Sequence, residues 1–444
     1  MKKLNTSLLY LLCQKIALII FSCFFALQVS AQKKFSLEQC IDYAYKQSFD
    51  IKQRLLKIRQ SENVLRQSKQ ALYPSVSGSF SQGVSSGRSI DPFTNDFIQH
   101  TVSSNSIGLG TNVVVFNGFT LKNQVVQNEY NVQADGWDLQ RGKNELRNRI
   151  TLAFMQLLMN QELWKISQEQ VVNLQTQLER VKELVKEGHM PNTNLIDLDA
   201  QLATAEFDAL NMKNSIELAK LSLAQLMAFP DYETFEVESM AFDEKVIAVN
   251  EAYLQTVLLS VNNQPLIKNA ELRFQSAKVG IRMAQAGKYP SVSIGAGMGT
   301  AYSSAASREY NYFNQLNFNL NQYARLSVNI PIYSNGQVRM RINNALISQQ
   351  MADTQLSQSK LQLKQEIEQA YLAATIAKEK LNSAKRQLNT QQVAFDSAKE
   401  RFTEGLIHAI ELNNFRLNLE RAKSNFVQTK YELFFRKMLL DYYR

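Results

Sequence analysis

The side chains best able to do chemistry are few, and their spacing argues against catalysis. The three histidines are His100, His189 and His408. His100 falls in an expected loop. His189 and His408 each lie near an expected helical turn, where a polar turn contact is the ordinary role. A shared metal site is the alternative, but the internal repeat described below does not pair them. No glycine-rich phosphate loop, paired-cysteine motif or His-x-x-x-His helix occurs. Carboxylates such as Glu366 and Glu368 flank heptad seams, where solvated pairing between helices is the default. No catalytic residue, metal ligand or cofactor is expected, so the chain reads as no enzyme. Any work it takes part in must be driven by a partner.

Residues 1–31 read as a secretory signal peptide. Lys2 and Lys3 open it, an apolar stretch interrupted by Gln14 and Lys15 runs from Leu8 to Val29, and Val29-Ser30-Ala31 offers a cleavage site that leaves Gln32 first. A transmembrane anchor is one alternative, although the apolar run after Lys15 is short for a bilayer. A lipoprotein acylated at Cys23 is another, although Phe24 and Phe25 continue the apolar run where a tether should begin. Cys13 and Cys23 leave with the signal, so Cys40 alone remains and no intrachain disulfide is possible. The signal holds three lysines and no acid, which leaves 46 basic against 40 acidic residues. The excess is dispersed along expected helices, so no nucleic-acid patch is read. No other run approaches the 18 or so apolar residues of a membrane helix.

The elements repeat. Tyr73-Pro74-Ser75-Val76-Ser77 recurs as Tyr289-Pro290-Ser291-Val292-Ser293, about 216 residues on. Ile51-Lys52 recurs as Ile267-Lys268, Val115-Phe116-Asn117-Gly118 as Ile332-Tyr333-Ser334-Asn335, and Glu187-Gly188 as Glu404-Gly405. A unit of roughly 215 residues is duplicated almost without insertion. Neither Gly nor Pro interrupts Gln337 to Glu404 or the stretch between Lys143 and Glu187. A helix of about 68 residues would be roughly 100 Å long. Leu363, Ala370, Ala377, Ala384, Gln391 and Ala398 stand seven apart, as do Ile367, Ala374, Leu381, Leu388, Phe395 and Phe402. Ile150, Leu157, Trp164, Val171, Leu178 and Val185 repeat the spacing. Sustained heptads predict helices packed as coiled coils. Shorter helices are expected at Phe35–Leu72, Asn192–Met227, Glu251–Lys288 and Leu406–Tyr443. Each pair matches one long helix in length, giving a helical wall that reverses at Gly188 and Gly405.

Two alternating strands are expected in each half. Val76, Gly78, Phe80, Gln82 and Val84 alternate with serines, and Ile107, Leu109, Thr111, Val113 and Val115 form the next row. Val292, Ile294, Ala296, Met298 and Thr300 form the third. Phe318, Leu320, Ala324, Leu326, Val328 and Ile330 form the fourth. About ten residues of period-two alternation suit a transmembrane barrel strand. Loops 86–104 and 303–316 would lie outside the cell, with Tyr302, Tyr310, Tyr312, Phe313, Phe318 and Tyr323 as interfacial aromatics. Four strands cannot close a barrel, and open edges are not tolerated in lipid. Three chains would supply twelve. The acidic linker 229–250 carries a strand-like Phe235-Glu236-Val237 and is expected outside the helical wall.

This order resembles the TolC family of outer-membrane efflux and secretion channels. The resemblance spans the mature chain. It rests on the duplicated helix–strand–strand–long helix–short helix unit, the Tyr-Pro-Ser lead-ins, the Phe-Asn-Gly and Tyr-Ser-Asn-Gly strand exits, and the glycine after each long helix. It implies a mainly α fold with a membrane β-barrel. The long coiled-coil helices would form a periplasmic α-barrel, and four strands per chain would join a trimeric twelve-stranded outer-membrane barrel. The implied domains are 32–228 and 251–444, two efflux repeats joined by the linker 229–250. The implied function is a passive exit duct from an inner-membrane transporter and a periplasmic adaptor, carrying small molecules. Type I protein secretion is one alternative, and a secreted periplasmic coiled-coil adaptor or structural rod is another. The chain would sit in outer-membrane lipid with most of its length in the periplasm.

The family's tip reads G-x-x-x-x-x-D-V-L-D-A, and its two aspartates ring a narrow aperture. Here Gly405 leads to Glu411 in the first acidic place and Asn414 in the second. Gly188 leads to Asn194 and Asp197, so each half keeps one acid in opposite slots. The resemblance implies an aperture of Asn194, Asp197, Glu411 and Asn414, and an adaptor-docking tip at Gly188, Met190, Gly405 and Leu406. Solvated surface acids are the bland alternative for Asp197 and Glu411.

Overall fold

A computed structural model describes residues 34–90, 95–99, 101–240, 251–305 and 311–443. The expected signal segment, His100, Tyr310 and the last ten linker residues lie outside these. In chain order the elements are β1 (Lys34–Phe35), α1 (Leu37–Gln47), α2 (Phe49–Gln70), β2 (Ser75–Ser85), β3 (Arg88–Ile90), β4 (Phe97–Gln99), β5 (Val102–Asn117), α3 (Thr120–Lys186) and α4 (Asn192–Met227). There follow β6 (Glu236–Val237), α5 (Glu251–Leu259), a 3-10 turn (Val261–Asn263), α6 (Pro265–Ala286), β7 (Ser291–Ser303), α7 (Tyr312–Phe318), β8 (Asn321–Asn329), α8 (Gln337–Thr403) and α9 (Ala409–Tyr442). Contacts divide the chain into two units. One holds the described residues up to Ser48 with Glu145–Val249 and Leu372–Tyr442, and the other holds Phe49–Asn144, Asn250–Tyr371 and Tyr443.

Helices α3 and α8 are each 67 residues long. Of the heptad rows, Leu363, Ile367, Ala370, Ala374, Ala377, Leu381, Ala384 and Ala398 in α8 and Ile150, Leu157 and Val171 in α3 are buried, while Leu388, Gln391, Phe395 and Phe402 in α8 and Trp164, Leu178 and Val185 in α3 are half-buried. Helix α3 continues through Gly136 and Gly142 instead of starting after them. Arg54 explains Gly142, because a Cβ there would collide with its side chain. Arg54 donates to the Asp138 carboxylate at 2.6 Å. Glycine lowers helix propensity by about 1 kcal/mol, and here it opens the seat for that charge pair.

The two helices expected at Phe35–Leu72 and Glu251–Lys288 are each broken. Ser48 leaves the helical region at ψ 128°, and Gln264 does so at ψ 142°. The breaks stand at matching points of the repeat. Proline at the first position of α6 stops any continuation from α5, whereas no proline marks the break at Ser48.

The second unit carries a four-stranded antiparallel sheet in the order β2-β5-β7-β8. Register sorts its faces, because directly opposed residues in antiparallel strands share a side. Phe80 pairs with Ile107, Leu109 with Met298, and Ile294 with Leu326. The other face pairs Ser79 with Gly108, Gly110 with Gly297, and Gly295 with Arg325. One face is apolar throughout its middle, and the other is mostly serine, glycine and asparagine, with Val114, Ala301, Tyr323 and Arg325 among them. A bulge between Val114 and Phe116 places Phe116 opposite Val292. This takes Val115 out of the row in which its spacing placed it, because a bulge adds one unpaired residue.

Three further expectations change here. The loop 86–104 contains the β3–β4 hairpin. Phe318 lies in α7 and Leu320 precedes β8, which runs only from Asn321 to Asn329. Side-chain bonds hold this local helix. Asn311 caps Asn314 N–H, Ser303 N–H donates to Gln315 at 2.9 Å, and the Thr300 hydroxyl donates to the Leu316 carbonyl at 2.6 Å. Tyr323 stands opposite Gly297, which puts it on the polar face and not in an aromatic band beside Tyr302.

In the first unit β1 pairs in parallel with β6. Phe35, Tyr43, Phe229 and Phe235 pack ring against ring beside it. Cys40 is fully buried in the same unit, and burial pushes its thiol up to about 12, so it is an inert packing residue.

Candidate functional site

Both long helices end in the same hydrogen-bonded reversal. Gly188 N–H donates to the Val185 carbonyl at 3.0 Å and His189 N–H to Leu184 at 2.8 Å. Gly405 N–H donates to Phe402 at 3.0 Å and Leu406 N–H to Arg401 at 2.8 Å. This is the Schellman pattern, in which a left-handed residue closes the last turn. Gly188 has φ 77° and Gly405 φ 73°, where side chains with a Cβ are strained.

The segments leaving these turns pack back on the helices that enter them. Val171 and Leu174 bury against Leu202, Ala205 and Ala209, with Leu178 and Leu198 alongside. Ala398 buries against Ile407 and Leu412, with Phe395, Phe402 and Phe415 alongside. Ile407 is inside, while Leu406 and Ile410 are left about two-thirds exposed. Met190 is half-buried.

Four side chains form the expected aperture set. Asp197, Glu411 and Asn414 are exposed and Asn194 is half-buried. Among the described residues Asp197 has no hydrogen bond or ion pair. Glu411 is different, because it stands 3.8 Å from Arg401 across the turn, each side chain about half exposed. Such a pair is worth about 0.2–1 kcal/mol. It nonetheless halves the number of unpaired acids in the set.

The structure adds a group that spacing did not reveal. Arg416 is 5% exposed. It donates to Gln177 of α3 at 2.9 Å and to the side-chain oxygen of Asn413. Its Nε and the Oε2 of Glu420, one turn further along α9, are both buried without a partner among the described residues. Burial pushes Glu420 up to about 7, opposed by Arg416 and Lys423 and reinforced by Glu169. Lys423 lies 3.9 Å from Glu169. The sequence did hold a signal for this. Leu412, Arg416 and Leu419 occupy one stripe of α9, so a charge stands where an apolar seam residue belongs.

A membrane-type sheet with two open edges and paired helices that reverse at glycines define one wall segment of a channel. The chain belongs to the outer membrane efflux protein family, whose model matches residues 40–228 and 258–434. The solved CusC channel is 18% identical, with 91% of this chain and 90% of that chain covered and a TM-score of 0.76. The outer membrane protein VceC of Vibrio cholerae is 15% identical, with 92% and 95% covered and a TM-score of 0.77. The CmeC outer membrane channel of Campylobacter jejuni is 16% identical, with 92% and 85% covered and a TM-score of 0.78. At such identities the likeness carries the fold. No curated protein sequence matches the chain. The protein is an outer-membrane efflux channel component of TolC type, in a family of ducts and not of enzymes. Family members are trimeric and work with adaptors and inner-membrane transporters.

Proposed function

We propose that three copies of this chain close their sheets edge to edge into one twelve-stranded barrel, and that the assembly is a passive exit duct for small molecules. The observation that carries this is the sheet. Strands β2 and β8 are its two unpaired edges and are exposed along their full length. An open edge in lipid strands its backbone groups, so a lipid-embedded sheet of this kind must close on other copies. The apolar face through Phe80, Leu109 and Leu326 then meets lipid, and the serine–glycine face lines the lumen. Most of the chain would stand in the periplasm.

The helical reversals serve as the docking tip in this proposal. Gly188 and Gly405 set the turns, and Leu406 and Met190 offer apolar contact to a periplasmic adaptor that couples the duct to an inner-membrane transporter. Asn194, Asp197, Glu411 and Asn414 form the aperture, with Asp197 as the unpaired acid. Purification in detergent tests the assembly. A trimer that migrates differently before and after heating supports the duct, and a stable lipid-inserted monomer defeats it. Crosslinks from Leu406 or Met190 in cells should capture an adaptor. Capture only of extracellular components would reverse the proposed orientation.

A further inference from the structure

The strands of the sheet carry one charged side chain in total, Arg325 of β8. It lies on the polar face, opposite Gly295. Tyr323, two residues earlier on that face, is opposite Gly297. A Cβ on Gly297 would fall 2.8 Å from the Tyr323 ring, so the ring leans over a floor that only glycine leaves open. The Arg325 guanidinium stands over the same ring, 5.9 Å from its centre. Gly295 and Gly297 therefore form a bare patch beneath a tyrosine and an arginine. Asn112 pairs with Gly295 from the far side and adds an amide.

We propose that Arg325 is the charge-selecting residue of the strand-lined part of the duct, and that it favours passage of oxyanions: carboxylates, sulfonates or phosphates. The inference rests on the duct reading, in which the polar face lines the lumen. Two features keep the charge uncompensated. No acid occurs on any of the four strands. Moreover, β8 is an edge, and the β2 edge that would meet it shows only Ser75, Ser77, Ser79, Ser81, Gly83 and Ser85 on the polar side. Whatever register two copies adopt, the neighbouring strand supplies no carboxylate.

Geometry makes the charge matter. Twelve tilted strands at ordinary spacing enclose a wall of about 12 Å radius. A long side chain reaching inward then lies within one Debye length of the axis at 0.1 M salt, about 10 Å. Three copies form a ring of guanidiniums, as basic rings do in anion-selective pores. The planar fork suits an oxyanion better than a point charge would, and the tyrosine face holds it in place.

The test compares wild type, Arg325→Gln and Arg325→Lys as trimers in planar bilayers. Near 0.1 M KCl the chloride-to-potassium permeability ratio should fall about twofold or more in Arg325→Gln and hold in Arg325→Lys. The three should converge near 1 M, where screening shortens to about 3 Å. Benzenesulfonate, as the probe oxyanion, should block the wild type at least about threefold more strongly than Arg325→Gln. Conducting trimers with the same ratio and block in all three forms would overturn the inference and leave the duct intact. Loss of assembly in Arg325→Gln alone would make Arg325 a structural residue and also overturn it. Failure of the wild type to form conducting trimers would instead overturn the duct.

Discussion

The sheet leaves Val76, Phe80, Leu109 and Leu326 bare, whereas the helical tip hides Leu412, Leu419 and even Arg416. Both regions are built from the same duplicated unit, yet they meet their surroundings in opposite ways. The sheet's apolar side chains have no protein to cover them, so they require a solvent that is not water. The tip's seam side chains are already covered, and Leu406, Ile410 and Ile196 stay outside for a contact still to be made. A period of two, applied to every residue, sorts the sheet. In the proposed tip single side chains would carry the chemistry, and no period announces them.

The largest expected effect breaks the comparison on the sheet side. Leu109→Arg or Leu326→Arg would place a charge on the apolar face, at about 2–4 kcal/mol near the bilayer midplane. Outer-membrane yield of trimer should collapse. Ser106→Arg, one face over, should insert normally. Normal yield from the Leu109 variant with loss of the Ser106 variant would mean that the two faces are assigned the wrong way round, and equal yields would mean that neither face meets lipid.

The next effect belongs to the tip. Gly405→Val puts a β-branched residue at φ 73°. Strain of about 1–2 kcal/mol or more is expected at that turn. No atom crowds the position, since a Cβ there would meet nothing within 4 Å. The damage should therefore be conformational and local, with export reduced and trimer insertion preserved. Loss of insertion would show that the turn supports folding of the whole chain and not docking alone.

Much of this was legible in the residues. Alternation located all four strands and the lipid-type face, because side chains of a strand must alternate. Heptads located the long helices, and the glycines after Glu187 and Glu404 located both turns. Side-chain bonds to the backbone were harder to read. Helix α7 depends on Asn311, Gln315 and Thr300 reaching particular amides and carbonyls, so Phe318 fell in a strand pattern. The bulge at Val115 is likewise a fault in register, which periodicity alone cannot place. Glycines in α3 read as interruptions because the helix cost was visible and the seat for Arg54 was not. The aperture set came from family resemblance. Its pairing of Glu411 with Arg401 and the buried Arg416–Glu420 group depend on which helix faces which.

That buried group gives a smaller, pH-dependent effect. Glu420 is raised from its ordinary value of 4.5 to about 7 in the folded protein. A raised carboxyl binds its proton more tightly when folded, so folding is favoured as pH falls from above 7 towards 4.5. The penalty for its charge is fully present above pH 7. Glu420→Gln should remove that pH dependence, so the stability of the variant relative to wild type should be higher at pH 8 than at pH 6. The measurement is the difference in Tm between wild type and variant across that range. A difference that does not change with pH would mean Glu420 is ionised throughout and well solvated.

The smallest effect concerns the proposed aperture, where the Glu411–Arg401 ion pair decides the size. If six free carboxylates converged on the axis of a trimer, cation preference would be strong, as acidic rings produce. Here Glu411 is answered by Arg401 at 3.8 Å, so Asp197 supplies most of the uncompensated charge. Asp197→Asn should therefore lower cation selectivity more than Glu411→Gln does. Arg401→Gln should raise it by freeing Glu411. All three differences should fade near 1 M salt, where screening shortens to about 3 Å. Reversal potentials across a KCl gradient in planar bilayers give the order. Identical selectivity at low salt in all three variants would put both acids outside the constriction. They would then be solvated surface residues, and the contrast between sheet and tip would sharpen, with all selectivity left to the strand-lined duct.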